Sequence, residues 1–215
     1  MKSKKAFIST TKTASISLLG NPETARYFWL VLHGYGQLAE NFQKHFSDWN
    51  LNEHYIILPN ALNYFYLKSG KGDVGASWMT KYEREKDISD NNHYLNQVYE
   101  QLILPHKKQQ SFFVIGFSQG AATLIRWLAM ENLLPDKIIL WGAVFPPDIE
   151  QEKYLEKLKQ IEWWYFIGTE DEFISNDEKE KQKHFFQSHQ FNIHWIEYEG
   201  KHAFNEKTLY NTLKL

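Results

Sequence analysis

The sequence contains no cysteine. Disulfide bonds, thiolate metal sites and a cysteine nucleophile are therefore excluded together. A chain without disulfide bonds suits a reducing compartment, so we expect a soluble, cytoplasmic protein. The first twelve residues begin with lysines but lack the apolar segment of a signal peptide, and no apolar run approaches the length of a membrane span. We therefore expect no stable insertion into a membrane.

The net charge is also small, because 24 basic side chains nearly balance 26 acidic ones. No basic stripe is present, so we expect no binding of nucleic acid through its phosphates. Patterns typical of metal sites, such as His-x-x-x-His, His-x-His or a cluster of aspartates, are missing as well, so we expect no bound metal ion. Nothing in the sequence indicates an oligomeric state.

The chain does contain a regular alternation of strands and helices from residue 27 to the end. Short, unbroken apolar runs predict buried strands, and they cover residues 27–32, 55–58, 111–115, 137–141 and 163–167. The alternation predicts an α/β architecture with a mostly parallel central sheet. The nearly continuous apolar character of the strands indicates helices on both faces of that sheet. A length of 215 residues suits a single domain over residues 1–215.

The remaining segments predict less regular elements. Residues 3–19 favour one or two edge strands, and residues 192–198 alternate as a last strand. Helices are predicted over residues 37–47, from a cap at Ser89 or Asp90 up to Pro105, around residues 154–158, and over residues 176–190 and 204–214.

Residues 60–89 are predicted to form a long irregular connection. Such a connection is often a lid over a binding site. The other interpretation is a surface hairpin whose aromatic side chains cover the core, and the sequence leaves both open.

The stretch Gly116-Phe117-Ser118-Gln119-Gly120 fits the pattern Gly-x-Ser-x-Gly. It lies between the apolar run 111–115 and the helix-compatible run 121–130, where a buried strand turns abruptly into a helix. That setting defines a nucleophile elbow. Glycines at the two flanking positions avoid collisions with neighbouring backbone. We predict that Ser118 is a nucleophile, the alternative being an ordinary tight strand-to-helix turn.

A serine hydroxyl needs a base within hydrogen-bonding reach and an acid behind that base. In an α/β-hydrolase these follow the serine in the order acid, then histidine. Asp171 follows the apolar strand 163–167 and is the preferred acid. Glu170 beside it and Asp148 at the end of the preceding loop are its rivals.

Four histidines follow the acid in the chain. His184 and His189 fall in a polar helix, and His194 falls inside the last strand. His202 alone lies in the loop after that strand, so the chain order predicts it as the base.

An oxyanion hole of this architecture uses the N–H group of the residue after the nucleophile, here Gln119. A second N–H group comes from the loop after an earlier strand, and Tyr35 in His33-Gly34-Tyr35-Gly36 is the preferred donor. His33 precedes the nucleophile, so we interpret it as a structural residue that ties down this loop.

The motifs together resemble the phospholipase/carboxylesterase family of small serine α/β-hydrolases, which includes the acyl-protein thioesterases. The matching pieces come in the family's order over most of the chain: Leu32-His33-Gly34-Tyr35-Gly36, Pro59-Asn60-Ala61, Gly116-Phe117-Ser118-Gln119-Gly120-Ala121, Gly168-Thr169-Glu170-Asp171 and Gly200-Lys201-His202. The resemblance implies an α/β-hydrolase fold, a triad of Ser118, Asp171 and His202, and an oxyanion hole from Tyr35 and Gln119. It also implies hydrolysis of a small acyl ester or thioester without a cofactor, as in carboxylesterases, lysophospholipases and acyl-protein thioesterases.

The sequence departs from the family pattern in three places, one of which is the connection 60–89, which is richer in aromatic residues and lysine than expected. Ala121 stands where the family usually has glycine, and the turn after the acid runs Phe173-Ile174-Ser175 instead of continuing towards Val-Pro.

We expect the acyl chain to contact aromatic residues near the elbow, and Tyr35, Trp78, Phe145 and Phe173 are the candidates; each could instead pack in the core. Two other functions stay open: a non-catalytic binding protein with a hydrolase-like fold, and an acyl transferase or peptidase on the same fold.

Overall fold

The computed structural model describes residues 4–214 and is built around a seven-stranded sheet. The strands of this sheet are β1 (Ile16–Leu19), β2 (Tyr27–Leu32), β3 (His54–Pro59), β6 (Ser111–Phe117), β7 (Lys137–Trp141), β8 (Glu162–Gly168) and β9 (Ile193–Tyr198). Their spatial order is β1-β3-β2-β6-β7-β8-β9. Only β1 pairs antiparallel, and every other neighbouring pair is parallel. The prediction of a mostly parallel sheet is confirmed.

Helices cover both faces of the sheet, as the apolar strands predict. They are α1 (Ala39–Phe42), α2 (Arg84–Leu102), α3 (Gln119–Met130), α4 (Glu152–Leu158), α5 (Asn176–Ser188) and α6 (Glu206–Leu213), with short 3-10 turns at Gln43–Phe46 and Pro147–Ile149. Alternate residues of β2 point to opposite faces: Leu30 packs in a cluster with Leu95 of α2 and Leu124 of α3, whereas Trp29 packs in a second cluster with Phe42 of α1.

The region 60–89 is more regular than the sequence indicates. β4 (Asn63–Lys68) and β5 (Lys71–Ser77) form an antiparallel hairpin, so the surface hairpin that the sequence left open is what forms, rather than an irregular connection. The hairpin stands off the sheet, with Tyr64 42% and Tyr66 55% exposed, so these aromatic rings do not cover the core. Its base is held to the loop after β2 by hydrogen bonds between Gly36 and Ala76 (2.8 Å) and between Ala76 and Gln37 (3.1 Å).

Helix α2 begins at Arg84, so the predicted cap at Ser89 or Asp90 is wrong. Both residues lie inside the helix. The first turn lacks apolar periodicity, but Arg84, Glu85 and Lys86 are strong helix formers. The acidic residues Glu85 and Asp87 suit the positive end of the helix dipole.

One strand forms at the N-terminal end of the described chain. Residues 4–15 contain no strand, and β1 alone occupies the rest of the predicted range. Residue 3 of that range lies outside the described residues.

Asp148, the distant rival for the acid, forms a partly buried ion pair. Its carboxylate accepts two hydrogen bonds from Arg126, both of 2.8 Å, and one of 2.9 Å from Arg84. The side chain of Arg126 is only 5% exposed. The hydrogen bonds from Arg126 hold the pKa of Asp148 well below its usual range, against the opposing effect of burial. The carboxylate therefore stays ionised to stabilise the packing of α2 and α3.

We expect Asp148→Asn to lower the free energy of unfolding by about 2 kcal/mol at pH 7, because it leaves a buried guanidinium without its counter-charge. The depressed pKa of Asp148 means that its contribution is complete above the pKa of the unfolded chain, about 4, and is lost as pH falls further. The difference in the free energy of unfolding between wild type and variant, measured by urea unfolding, should therefore become smaller from pH 5 to pH 2. Asp90→Asn removes the same charge from an exposed site and is the matched control. A difference that is constant over this pH range would contradict the assignment.

Candidate active site

Ser118 occupies a sharp turn between the end of β6, the middle strand of the sheet, and the start of α3. Its φ is 52° and its ψ is −119°, a conformation that non-glycine residues rarely adopt. The turn is held on both sides, since the N–H of Ser118 donates to Trp141 O (2.8 Å) and its carbonyl accepts from Ala121 N (3.0 Å). The backbone strain is therefore maintained by the surrounding fold.

The two glycines of the motif are required by close backbone contacts. A Cβ atom on Gly116 would lie 2.4 Å from Ala121 Cα, and one on Gly120 would lie 2.4 Å from Leu32 O. Both distances are far inside van der Waals contact. The predicted reason for glycine at these positions is confirmed.

The side chains of Ser118, His202 and Asp171 form a continuous line of hydrogen bonds. Ser118 Oγ lies 2.9 Å from His202 Nε2. His202 Nδ1 lies 2.8 Å from Asp171 Oδ2. The three residues come from the carboxyl ends of β6, β9 and β8, which meet at one edge of a parallel sheet. The fold thus brings together the three side chains that chain order selects.

Asp171 is held rigidly as the inner member of this line. Its side chain is 1% exposed. The other carboxylate oxygen accepts the N–H groups of Phe173 (2.9 Å) and Ile174 (3.1 Å). Oδ2 is therefore left to face the imidazole of His202, and Nδ1 carries the proton that it accepts.

The rival residues lie elsewhere. Glu170 is exposed, and Asp148 pairs with arginines as described above. His194 stacks on Trp164 with ring centroids 4.0 Å apart, within β9. His184 and His189 belong to α5 and its C-terminal end.

The predicted oxyanion donors are the backbone N–H groups of Gln119 and Tyr35. Gln119 is the first residue of α3, so its N–H has no carbonyl partner within the helix. In the loop after β2, the N–H groups of Gly34, Gly36 and Gln37 all donate to protein oxygens. The N–H of Tyr35, in contrast, has no partner within residues 4–214.

The side chain of Gln119 has a structural role. Its Oε1 accepts from Trp78 N (2.9 Å), and its Nε2 donates to Met79 O (2.7 Å). The residue after Ser118 is thereby tied to the segment that follows the hairpin.

His33 ties down the loop after β2, as its position before the nucleophile predicts. Its Nδ1 donates to Gly34 O (2.8 Å), and its Nε2 accepts from Ala61 N (3.1 Å). Burial lowers the pKa of His33, which keeps the ring neutral and able to accept.

An open cleft of about 520 Å³ leads to Ser118. Its walls consist of Gly34, Tyr35, Gln37, His45, Phe117, Ser118, Phe173, His202, Ala203 and Phe204. Phe173 is 75% exposed and its ring packs edge-on against His202 at 4.8 Å, and Tyr35 is 60% exposed. Four aromatic rings therefore give the cleft a largely apolar wall.

Trp78 and Phe145 lie in the core, which corrects the expectation that they contact an acyl chain. Trp78 is 0% exposed, and its indole N–H donates to His33 O (2.8 Å). Phe145 is 2% exposed and packs against Phe185 at 4.7 Å. The sequence alone does not reveal which of the four aromatic candidates are buried and which are exposed.

Gly142 is a site residue that the motifs do not reveal. It follows β7, which lies between the strands that carry Ser118 and Asp171. Its φ is +53°, and a Cβ atom there would lie 3.0 Å from His202 Nδ1 and 3.3 Å from Asp171 Oδ2. The imidazole and carboxylate therefore occupy space that any other residue would fill.

Other kinds of site lack support among the described residues. Within residues 4–214, no group of three or more histidine and acidic side chains could hold a metal ion. None of the described helices is long and apolar enough to cross a membrane.

The sheet is mostly parallel, and a serine lies on a strained turn after its middle strand. The acid follows the second strand beyond that one, and the histidine follows the third. This arrangement belongs to the α/β-hydrolase fold. Solved structures agree with this class. Esterase PE8 is 17% identical, with a TM-score of 0.70 over 94% of this chain and 99% of that one. Acyl-protein thioesterase 2 of Zea mays is 12% identical, with a TM-score of 0.73 over 94% and 97%. A carboxylesterase of Bacillus cereus is 15% identical, with a TM-score of 0.66 over 94% and 92%.

The model of the phospholipase/carboxylesterase family matches residues 21–214. The chain belongs to this family, and the resemblance drawn from the motifs is confirmed. A search of curated proteins by sequence finds no match.

Proposed function

We propose that this protein is a serine hydrolase that cleaves carboxylic esters or thioesters through an acyl-enzyme on Ser118. The observation that carries the proposal is the pair of hydrogen bonds from Ser118 Oγ to His202 Nε2 (2.9 Å) and from His202 Nδ1 to Asp171 Oδ2 (2.8 Å). Membership of a family of phospholipases and carboxylesterases supports the same chemistry. We also propose that residues 1–215 form one domain.

Acylation begins when His202 Nε2 takes the proton of Ser118 as Oγ attacks the acyl carbonyl. The carboxylate of Asp171 keeps the proton on Nδ1 and stabilises the imidazolium that forms. Negative charge develops on the carbonyl oxygen, and the N–H groups of Tyr35 and Gln119 receive it there. His202 then protonates the departing alcohol or thiol. Water repeats the sequence and releases the acid and free Ser118.

The cleft favours a small acyl substrate. A volume of about 520 Å³ lies within the range of sites for small organic molecules. The exposed rings of Tyr35 and Phe173 line the same cleft as Ser118 and His202 and offer an apolar surface to the acyl chain.

The test is to trap the acyl-enzyme. The protein is mixed with p-nitrophenyl acetate or a matching thioester, quenched in acid and digested, and the peptide that contains Ser118 is weighed. We expect an added acyl group on Ser118 and a burst of one equivalent of p-nitrophenol. Acylation of another residue, or no turnover of any ester or thioester by folded protein, would contradict the proposal. The latter result would favour a non-catalytic binding protein, and transfer of the acyl group to an added amine or alcohol in preference to water would favour an acyl transferase.

We expect Gly142→Ala to lower kcat/KM by about 100-fold, because its Cβ displaces the His202–Asp171 pair and misaligned catalytic groups lose rate at about this scale. Gly70→Ala is the matched control. Gly70 also has a positive φ, of +67°, but a Cβ there meets nothing within 4 Å. Gly70→Ala should lose about 1 kcal/mol of stability in thermal unfolding, the cost of a left-handed alanine. Gly142→Ala should lose at least as much because of its close contacts, and only Gly142→Ala should lose activity. Equal activity of the two variants would disprove this role of Gly142.

A further inference from the structure

We propose that Glu172 is a positioning residue for the reaction described above, because its carboxylate holds the backbone of the loop that carries His202. The inference rests on the proposed function. It concerns the segment after the acid, where this sequence departs from the family pattern.

The loops after β8 and β9 continue the parallel pairing of their strands. Beyond the last strand pair, Gly168 with Tyr198, the N–H of Thr169 donates to Tyr198 O (2.9 Å) and the N–H of Glu170 donates to Gly200 O (2.9 Å). The approach is so close that a Cβ on Gly168 would lie 2.3 Å from Gly200 O. The two loops are therefore joined backbone to backbone up to residue 200.

The next contact comes from a side chain. The N–H of His202 donates to Glu172 Oε2 at 3.0 Å. No carbonyl group within residues 4–214 accepts this N–H, so the Glu172 carboxylate takes the place of a strand carbonyl at the end of the pairing. This hydrogen bond is the leading cause of the lowered pKa of Glu172, which keeps the acceptor ionised.

The carbonyl groups on either side of His202 are held separately. Tyr198 Oη donates to Ala203 O (2.6 Å) and contacts Lys201 O (3.3 Å). The indole N–H of Trp141 lies 2.9 Å from Ala203 O. These contacts fix the loop from the core side, and Glu172 is the contact on its outer side.

Two consecutive side chains therefore form hydrogen bonds with His202. Asp171 binds ring atom Nδ1, and Glu172 binds the backbone N–H. Glu172 does not line the cleft, so it has no direct contact with a substrate there. Its removal should let the imidazole drift from Ser118 Oγ without changing the binding surface.

The test compares Glu172→Ala and Glu172→Gln with wild type in steady-state hydrolysis of p-nitrophenyl acetate and in the rate of labelling by a fluorophosphonate. We expect Glu172→Ala to lower kcat and the labelling rate by about five- to tenfold, the scale of one solvent-exposed, charge-assisted hydrogen bond, with KM unchanged. Glu172→Gln keeps an acceptor oxygen at the same place, so it should stay within about twofold of wild type. Glu170→Ala, which alters the neighbouring exposed acid, should behave as wild type.

Wild-type kcat in Glu172→Ala would overturn the inference, as would an equal loss in Glu172→Gln, because an effect of charge alone is not positioning. If the alanine variant is less stable, its kcat is measured at a temperature at which it is fully folded, and the same loss relative to Glu172→Gln is expected there. Failure of the proposed function is seen separately, as activity that survives Ser118→Ala. If Ser118→Ala loses activity and Glu172→Ala keeps the wild-type kcat, only the role of Glu172 is refuted.

Discussion

The Ser118→Ala variant is expected to show no burst, no fluorophosphonate labelling and a fall in kcat for p-nitrophenyl acetate of about 10⁶-fold, the scale seen when a serine nucleophile is removed. The reason is that Oγ forms the covalent bond to the acyl group, and no other hydroxyl lies in hydrogen-bonding contact with His202 Nε2 within the described residues. The variant should fold normally, because alanine can adopt the backbone of the elbow and the only side-chain hydrogen bond lost is the one to His202.

Ser111→Ala is the matched control for this measurement. Ser111 begins β6, the strand that ends beside Ser118, and its side chain lies at the opposite edge of the sheet. It should retain wild-type kcat and labelling. Persistent labelling of Ser118→Ala would assign the nucleophile to another residue and remove the basis of the proposed mechanism.

Asp171→Asn is expected to lower kcat by about 10⁴-fold at neutral pH with little change in KM, as in other serine enzymes in which this acid is replaced by its amide. Asparagine can keep the hydrogen bonds from Phe173 and Ile174 through its carbonyl oxygen. Its NH₂ group would then face His202 Nδ1 and donate to it, which favours the tautomer with the proton on Nε2. In that tautomer the imidazole cannot take the proton of Ser118.

Glu170→Gln makes the same acid-to-amide change one residue earlier. Glu170 is exposed and remains outside the line of hydrogen bonds, so its kcat should stay within about twofold of wild type, as for an exposed charge of small effect. A large loss in Glu170→Gln with a small one in Asp171→Asn would reverse the assignment of the acid. The pair therefore separates the two neighbouring candidates that the sequence offers.

The elements that sequence patterns predict well are those whose signal is local. The unbroken apolar runs of β2, β6, β7 and β8 appear as strands at nearly the predicted bounds. Each run is short, is flanked by turn residues and has no polar face, so burial on both sides of a sheet is its natural outcome. The elbow is equally local, because Gly116 and Gly120 are needed by backbone atoms only a few residues away or on the adjacent strand.

The elements that sequence patterns place imprecisely are those that lie largely in solvent. The hairpin of β4 and β5 has mixed polar and aromatic residues and stands largely in solvent, so it shows no clear alternation between a buried and an exposed face. The start of α2 lies in a segment with no apolar periodicity. In both cases the apolar periodicity that indicates a buried face is absent, and prediction from sequence depends on that periodicity.

The class of fold, the family and the candidates Ser118, Asp171 and His202 follow from the sequence alone, because local turn chemistry and the order of the strands can both be read along the chain. Which aromatic residues border the cleft depends on the tertiary packing, which puts Phe173 at its wall and Trp78 and Phe145 in the core. The tertiary structure also revealed the space kept free by Gly142 and the contact of Glu172 with the His202 loop. These features arise where the ends of three neighbouring strands meet, and contacts across such an edge join residues about thirty to sixty positions apart, which no local pattern records.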